Sequence, residues 1–186
     1  MHVLSRCLSD DMIKIRNAAA VDFNDVLRLG WSTYPERESN PEFGDYVFLK
    51  RPTRKRMREW FSKLLADARN GNAVYLVAEI DGAVVGQCFI RRGLPKSELS
   101  HVGSLSILVH KDYRGRGVGK TLLGAAIKAA RGNFETLHLT VFSYNRMAKE
   151  MYKKAGFASF GVAPGFVKRD GKYIDLEHMY MHIKRL

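Results

Sequence analysis

Leu105-Ser-Ile-Leu-Val-His-Lys-Asp-Tyr-Arg-Gly-Arg-Gly-Val-Gly-Lys-Thr-Leu-Leu123 begins as an apolar run, passes through a basic glycine-rich turn and ends in a helical pattern. Leu105 to Val109 reads as a buried strand. Val118, Leu122, Ala126 and Ala130 fall on or near one face of a helix. A strand, a glycine-rich turn and a helix in succession aim several backbone N–H groups at one place. The positive end of the helix dipole points there too, which makes an anion site. Gly115, Gly117 and Gly119 let the backbone take positive φ and approach a ligand closely. Arg114, Arg116 and Lys120 add positive charge. The ligand this implies is a phosphate or pyrophosphate.

Three glycine-loop patterns compete, beside the reading of a plain basic turn. Gly119-Lys120-Thr121 looks like the end of a P-loop, but that motif needs glycine at 114, which is Arg. The dinucleotide fingerprint G-x-G-x-x-G fails from Gly115, because position 120 is Lys, and from Gly117, because position 122 is Leu. R-x-x-G-x-G/A fits Arg114-Gly115-Arg116-Gly117-Val118-Gly119 without a mismatch. This resembles the cofactor motif of the GNAT superfamily of N-acetyltransferases, which cradles the pyrophosphate of acetyl-CoA.

One strand further on, Asn145, Ala148 and Tyr152 share a helical spacing, with Gly156 placed as a C-cap and Phe157 after it. Alone, this reads equally as an amphipathic core helix. Following R-x-x-G-x-G, the pattern N-x-x-A-x-x-x-Y-x-x-x-G-F resembles the second conserved block of the same superfamily. Gly171 to Met179 resembles a closing strand found in many members. The resemblance runs from about Met12 to the C-terminus and is weakest before Val74.

The resemblance implies the GNAT-like acyl-CoA N-acyltransferase fold: a twisted, mostly antiparallel mixed sheet of about seven strands with about four helices. It implies acetyl-CoA as cosubstrate and no metal. The backbone of Ile107, Leu108 and Val109 would pair with the pantetheine arm, and the N–H of Leu108 or Val109 would polarise the thioester carbonyl. Arg114, Gly115, Arg116, Gly117, Val118, Gly119, Lys120 and Thr121 would hold the pyrophosphate. Asn145 would bond the pantetheine region, and Tyr152 would protonate the departing thiolate. The amine would attack directly, with no covalent enzyme intermediate. Many members carry a glutamate on the central strand as base. Here Gly103, Ser104, Leu105 and Ser106 stand in that region, which leaves His101, Asp175, Glu79 or a water relay through Ser104 or Ser106.

At 186 residues, 46% apolar and 27% charged, the chain suits one domain with a sizeable core. No apolar run reaches the ~20 residues of a membrane span, and no signal-peptide core opens the sequence. Cys7 and Cys88 make neither a disulfide framework nor a CxxC site, which reads as a cytoplasmic chain with reduced thiols. The net charge of +12 suits an anionic ligand. No zinc-finger, RNP or basic-zipper spacing accompanies it, so nucleic acid is not the expected partner. The expected acceptor is a small-molecule amine or a protein N-terminus, and a homodimer is compatible with an exposed final strand. Two other classes stay open on sequence alone: a non-catalytic acyl-CoA-binding regulatory module, and an RNA- or ribosome-associated basic protein.

Residues 1–11 read as an N-terminal extension and 12–186 as the N-acetyltransferase domain, with Met12-Ile-Lys-Ile-Arg16 as a half-buried strand. A helix is expected over Asp22–Tyr34, then a break from Pro35 to Pro41, then an aromatic patch at Phe43, Tyr46, Phe48 and Leu49. Thr53 caps a second helix reaching Arg69, with Met57, Trp60, Phe61, Leu64 and Leu65 inward. Asp81-Gly82 between two apolar runs signals a hairpin. The coarse order is β, α, α, β, β, β, α, β, α, β, β.

Overall fold

The computed structural model of the chain describes residues 13–39, 50–93 and 96–183. Residues 1–11, Met12 and the aromatic patch from Phe43 to Leu49 lie outside them. The expected element order holds: β1 (Lys14–Asn17), α1 (Phe23–Ser39), α2 (Arg54–Arg69), β2 (Ala73–Ile80), β3 (Ala83–Arg92), β4 (Val102–Val109), α3 (Val118–Ala130), β5 (Thr136–Phe142), α4 (Arg146–Lys154), β6 (Ala158–Arg169) and β7 (Lys172–His182). Thr53 Oγ1 accepts from the Arg56 N–H at 3.3 Å, so α2 starts where its cap residue predicts. Asp81 (φ 51°) and Gly82 (φ 76°) both take the left-handed conformation that a two-residue hairpin of primed type requires.

One expectation is corrected. The break at Pro35 does not occur, because α1 runs through it to Ser39. Proline removes the N–H that would bond the Trp31 carbonyl. In the preceding turn, Ser32 and Thr33 hydroxyls donate to the carbonyls of Leu29 and Gly30, both at 2.8 Å. Beyond the proline, Glu36 is tied by an ion pair to Arg114. A tertiary contact therefore outweighs the local signal of the proline.

The sheet order is β1-β2-β3-β4-β5-β7-β6. Every neighbouring pair is antiparallel except β4 and β5, which are parallel. Alternation along the strands divides the core in two. Val74, Leu76, Ala78, Leu105, Leu137 and Leu139 pack under Leu122, Leu123, Ala126 and Tyr152 of α3 and α4. Tyr75 and Val77 turn the other way, under Phe23, Val26 and Leu27 of α1 and Phe61, Leu64 and Leu65 of α2. Each Val, Leu or Phe among them adds roughly 1.5–3 kcal/mol when fully buried. α1 and α2 cover β2 and β3 on one face, α3 and α4 cover the other, and the site is built on β4.

Candidate active site

β4 and β5 are paired only at Val102↔Thr136, Gly103↔Leu137 and Ser104↔His138. Above Ser104 the two strands part. On its other side β4 stays paired with β3 as far as Gly86↔Val109, and His110 N–H donates to the Val85 carbonyl at 2.8 Å. Antiparallel strands alternate, so residues in step with His110, including Leu108, bond to β3. The peptide groups of Ile107 and Val109 therefore face the opening toward β5, and Leu108 is removed as the donor to a ligand there. β4 thus presents a strand edge inside the sheet, not at its rim.

The glycine turn stands at the upper end of this opening. Gly115 (φ 75°) and Gly117 (φ 84°) take the left-handed conformation, and a Cβ at either would meet nothing within 4 Å. Their exposed faces are bare backbone open to a ligand. Gly117 is the N-cap of α3, with no side chain bonding the helix end. The first N–H groups of a helix have no intrahelical partner, so those of Val118, Gly119 and Lys120 are available to an anion. Gly119 serves a different need. A Cβ there would lie 3.2 Å from Met151 Sδ and 3.7 Å from Val109 Cγ2, so its absence lets α3 start close against β4 and α4.

Arg116, Lys120 and Thr121 are exposed around the turn, and Arg116 lies over the Tyr113 ring at 5.3 Å. Arg114 is turned inward. Its guanidinium forms two bonds with the Glu36 carboxylate, Nη2 to Oε2 at 2.9 Å, and its Nε donates to the Val109 carbonyl at 3.0 Å. The side chain thus ties α1 to the turn and to the end of β4, while the backbone N–H of Arg114 donates to the Lys111 carbonyl at 3.3 Å.

Tyr152 and Ala148 lie on α4 as their spacing implies, while Asn145 is its N-cap. The Asn145 carboxamide oxygen accepts from the Ala148 N–H at 3.0 Å. The Tyr152 ring is buried, edge-on to Phe157 with centroids 5.8 Å apart. Ala155 is the C-cap, and Gly156 (φ 103°), expected in that place, follows it in the left-handed conformation that ends the helix.

Of the base candidates, His101 stands before the first residue of β4, eight strand residues from the turn, or about 26 Å. Glu79 is held by Arg16 Nε at 2.7 Å and lies 3.7 Å from Lys14 Nζ at the β1 edge. Asp175 accepts from the Gly165 N–H at 2.7 Å. Ser104 and Ser106 are exposed on the sheet face opposite α3 and α4. Gly103 has no room for a side chain, because a Cβ would sit 2.5 Å from Ile90 Cγ2 and 3.0 Å from Phe134 Cδ1. Packing explains the missing carboxylate at that position.

Two arrangements carried no sequence signal. One is the Glu36–Arg114 pair. The other is His138 on β5 and His178 on β7, whose Nε2 and Nδ1 are 3.2 Å apart. Alternation in Leu137-His138-Leu139 puts His138 away from the core, but only the register of β7 reveals its partner. Among the described residues no helix is long and apolar enough to cross a membrane.

The family model described as Acetyltransferase (GNAT) family matches residues 24–157. The L-amino acid N-acetyltransferase of Escherichia coli K12 is 35% identical over 106 residues, 56% of this chain and 65% of that protein. The N-alpha-acetyltransferase of Sulfurisphaera tokodaii is 29% identical over 177 residues, 90% of each chain. The crystal structure of a GNAT superfamily phosphinothricin acetyltransferase from Sinorhizobium meliloti, in complex with acetyl-CoA, superposes with a TM-score of 0.78. It covers 92% of this chain and 89% of that one at 20% identity, a likeness of fold.

Proposed function

The chain belongs to the GNAT acetyltransferase family and is an acyltransferase, and from this premise we propose that it transfers the acetyl group of acetyl-CoA to a primary amine by direct attack, with Tyr152 as general acid. The observation that carries the reading is the parting of β4 from β5 beside a glycine turn that ends in an uncapped helix.

Acetyl-CoA supplies an activated acetyl thioester. The bare backbone of Gly115 and Gly117 and the N–H groups of Val118, Gly119 and Lys120 fit its pyrophosphate, with Arg116, Lys120 and Thr121 around it. The inward edge of β4 at Ile107 and Val109 fits an extended arm bearing its own amides, as an added strand would. A backbone N–H on this edge polarises the carbonyl, and such preorganised donors act strongest where charge develops. Asn145 holds the arm at the start of α4. Tyr152 gives its phenolic proton to the departing sulfur, and its burial against Phe157 keeps water from competing for that proton.

The acceptor is an amino acid or a protein N-terminus, a reading supported by the likeness to an L-amino acid N-acetyltransferase of Escherichia coli and an N-alpha-acetyltransferase of Sulfurisphaera tokodaii. Both present a primary amine on the carbon next to a carbonyl carbon. Thermal melting with acetyl-CoA, CoA and ATP tests the site. A ligand at about 100 times its Kd adds about 2.7 kcal/mol, so Tm rises with both CoA species and not with ATP. Thiol release with free amino acids against short peptides then separates the acceptor classes. No Tm rise with either CoA species overturns the reading.

A further inference from the structure

We propose that His138, hydrogen-bonded to His178, is the base that takes the proton of the acceptor amine. The assignment rests on the acetyl-transfer reading above. Its first support is position. His138 is the register partner of Ser104, the last residue at which β4 and β5 are joined. The side chain therefore stands at the foot of the opening whose upper end is the glycine turn.

Its second support is the face it occupies. Leu137, Leu139 and Val141 point into the core beneath α3 and α4. His138 and Thr140 point the other way, onto the face where Ser104 and Ser106 are exposed. His178 is paired with Thr140 across β7, one row above His138, and shares that face. An amine entering from the open face reaches the inner edge of β4 with this pair beside it.

The chemistry fits. One proton bridges His138 Nε2 and His178 Nδ1 across 3.2 Å, and each ring keeps one further nitrogen. The rings lie nearly parallel, 25° apart, with Phe160 at 5.9 Å from His138 and 5.6 Å from His178. Burial, and then the neighbouring His178, lower the pKa of His138 from the ordinary imidazole value of 6.5. The base is thus neutral at pH 7, as a proton acceptor must be. Around it on β7 stand Tyr180 and His182, the latter 2.9 Å from Thr136 Oγ1. In the same row across β4, Arg91 is 3.2 Å from Asp67. The carboxylates Glu79, Asp175 and Glu177 are each engaged elsewhere, by Arg16, Gly165 and Lys149.

The protons balance. The amine nitrogen bonds to the carbonyl carbon as the carbon–sulfur bond breaks. Of the two protons an ammonium acceptor gives up, one passes to His138 and out to water through the pair. The other ends on sulfur, by way of Tyr152. His178 is a positioning residue, since it orients His138 and shares its proton.

The test is kcat/KM against pH from 5 to 9 for wild type, H138Q, H178N and, as a control at the far end of β4, H101Q, with the acetyl-CoA-induced rise in Tm measured for each. Wild type should gain rate through a limb centred below pH 6.5. H138Q should lose about 10²-fold at pH 7 and lose that limb, while keeping the Tm rise. H178N should keep the Tm rise and move the limb up toward the ordinary imidazole value. H101Q should match wild type. If H138Q does not fold, the position of the H178N limb decides. An H138Q profile superposing on wild type, or an unmoved H178N limb, overturns the assignment. A wild-type chain that releases no thiol with any amine overturns the function it rests on, and the assignment with it.

Discussion

Glu36 holds Arg114. A carboxylate one residue past a proline inside α1 grips the side chain that opens the glycine turn, and the same guanidinium fastens the Val109 carbonyl. The Glu36 side chain is 8% exposed and that of Arg114 20%. Glu36→Ala would take the carboxylate away from a mostly buried cation. Losing a charged hydrogen-bond partner of this kind costs roughly 1.5–3 kcal/mol. Urea denaturation should show that loss, and acetyl-CoA should raise Tm less than in wild type. An unchanged urea midpoint would mean that the pair does not hold the turn.

Tyr152→Phe keeps the ring against Phe157 and removes one hydroxyl. The fold and the acetyl-CoA-induced Tm rise should both survive, while kcat falls by about 10²-fold, the lower end of what a positioned proton donor contributes. A variant with wild-type kcat would remove Tyr152 from the proton-transfer step.

Gly103→Ala places a methyl carbon 2.5 Å from Ile90 Cγ2 and 3.0 Å from Phe134 Cδ1, at the joint where β4 meets β5. Overpacking of a tight core costs typically 1–3 kcal/mol. The loss should appear as a lower Tm. Pairing the change with Ile90→Ala, which removes the colliding Cγ2, should cost less than the sum of the two single changes.

Acid should weaken the fold through Asp22. Burial alone would raise its carboxyl pKa, but the Arg16 guanidinium, bonded twice at 2.8 Å, and the Ala19 N–H hold it below its ordinary value of 3.8. A carboxyl with a lowered folded pKa adds stability above its unfolded pKa and loses it as pH falls through the folded one. Urea midpoints should therefore fall below about pH 4. Asp22→Asn should cost on the order of 2 kcal/mol at pH 7 and flatten that dependence. A D22N variant with the wild-type acid profile would assign the loss to other carboxylates, Glu177 beside Lys149 first among them.

The parts legible in the sequence are those whose cause is local. Thr53 at the head of α2, Asp81-Gly82 between β2 and β3, and the alternation from Thr136 to Phe142 each set their own element. The glycine turn was legible because two of its glycines are required by their own backbone angles. What sequence could not give depends on distant partners. α1 passes through Pro35 with its next residue tied to Arg114, 78 positions away. Whether Leu108 or Val109 faces a ligand is set by the register with β3. The role of Asn145 as a cap, and not a face residue, is decided by where α4 begins. His138 and His178 meet across 40 positions of chain, through a strand pairing that no local pattern announces.

A strand edge is the part of a sheet most open to unwanted pairing with other molecules, and folds usually guard it at the rim. Here the edge lies between β4 and β5, walled by the chain's own strands and floored by their three joined residue pairs. An arm that carries amides can bond this bare side of β4 as a further strand would bond a rim. The edge that a rim would offer to other molecules is here enclosed within one sheet, so what pairs with it must enter between two strands of the same chain.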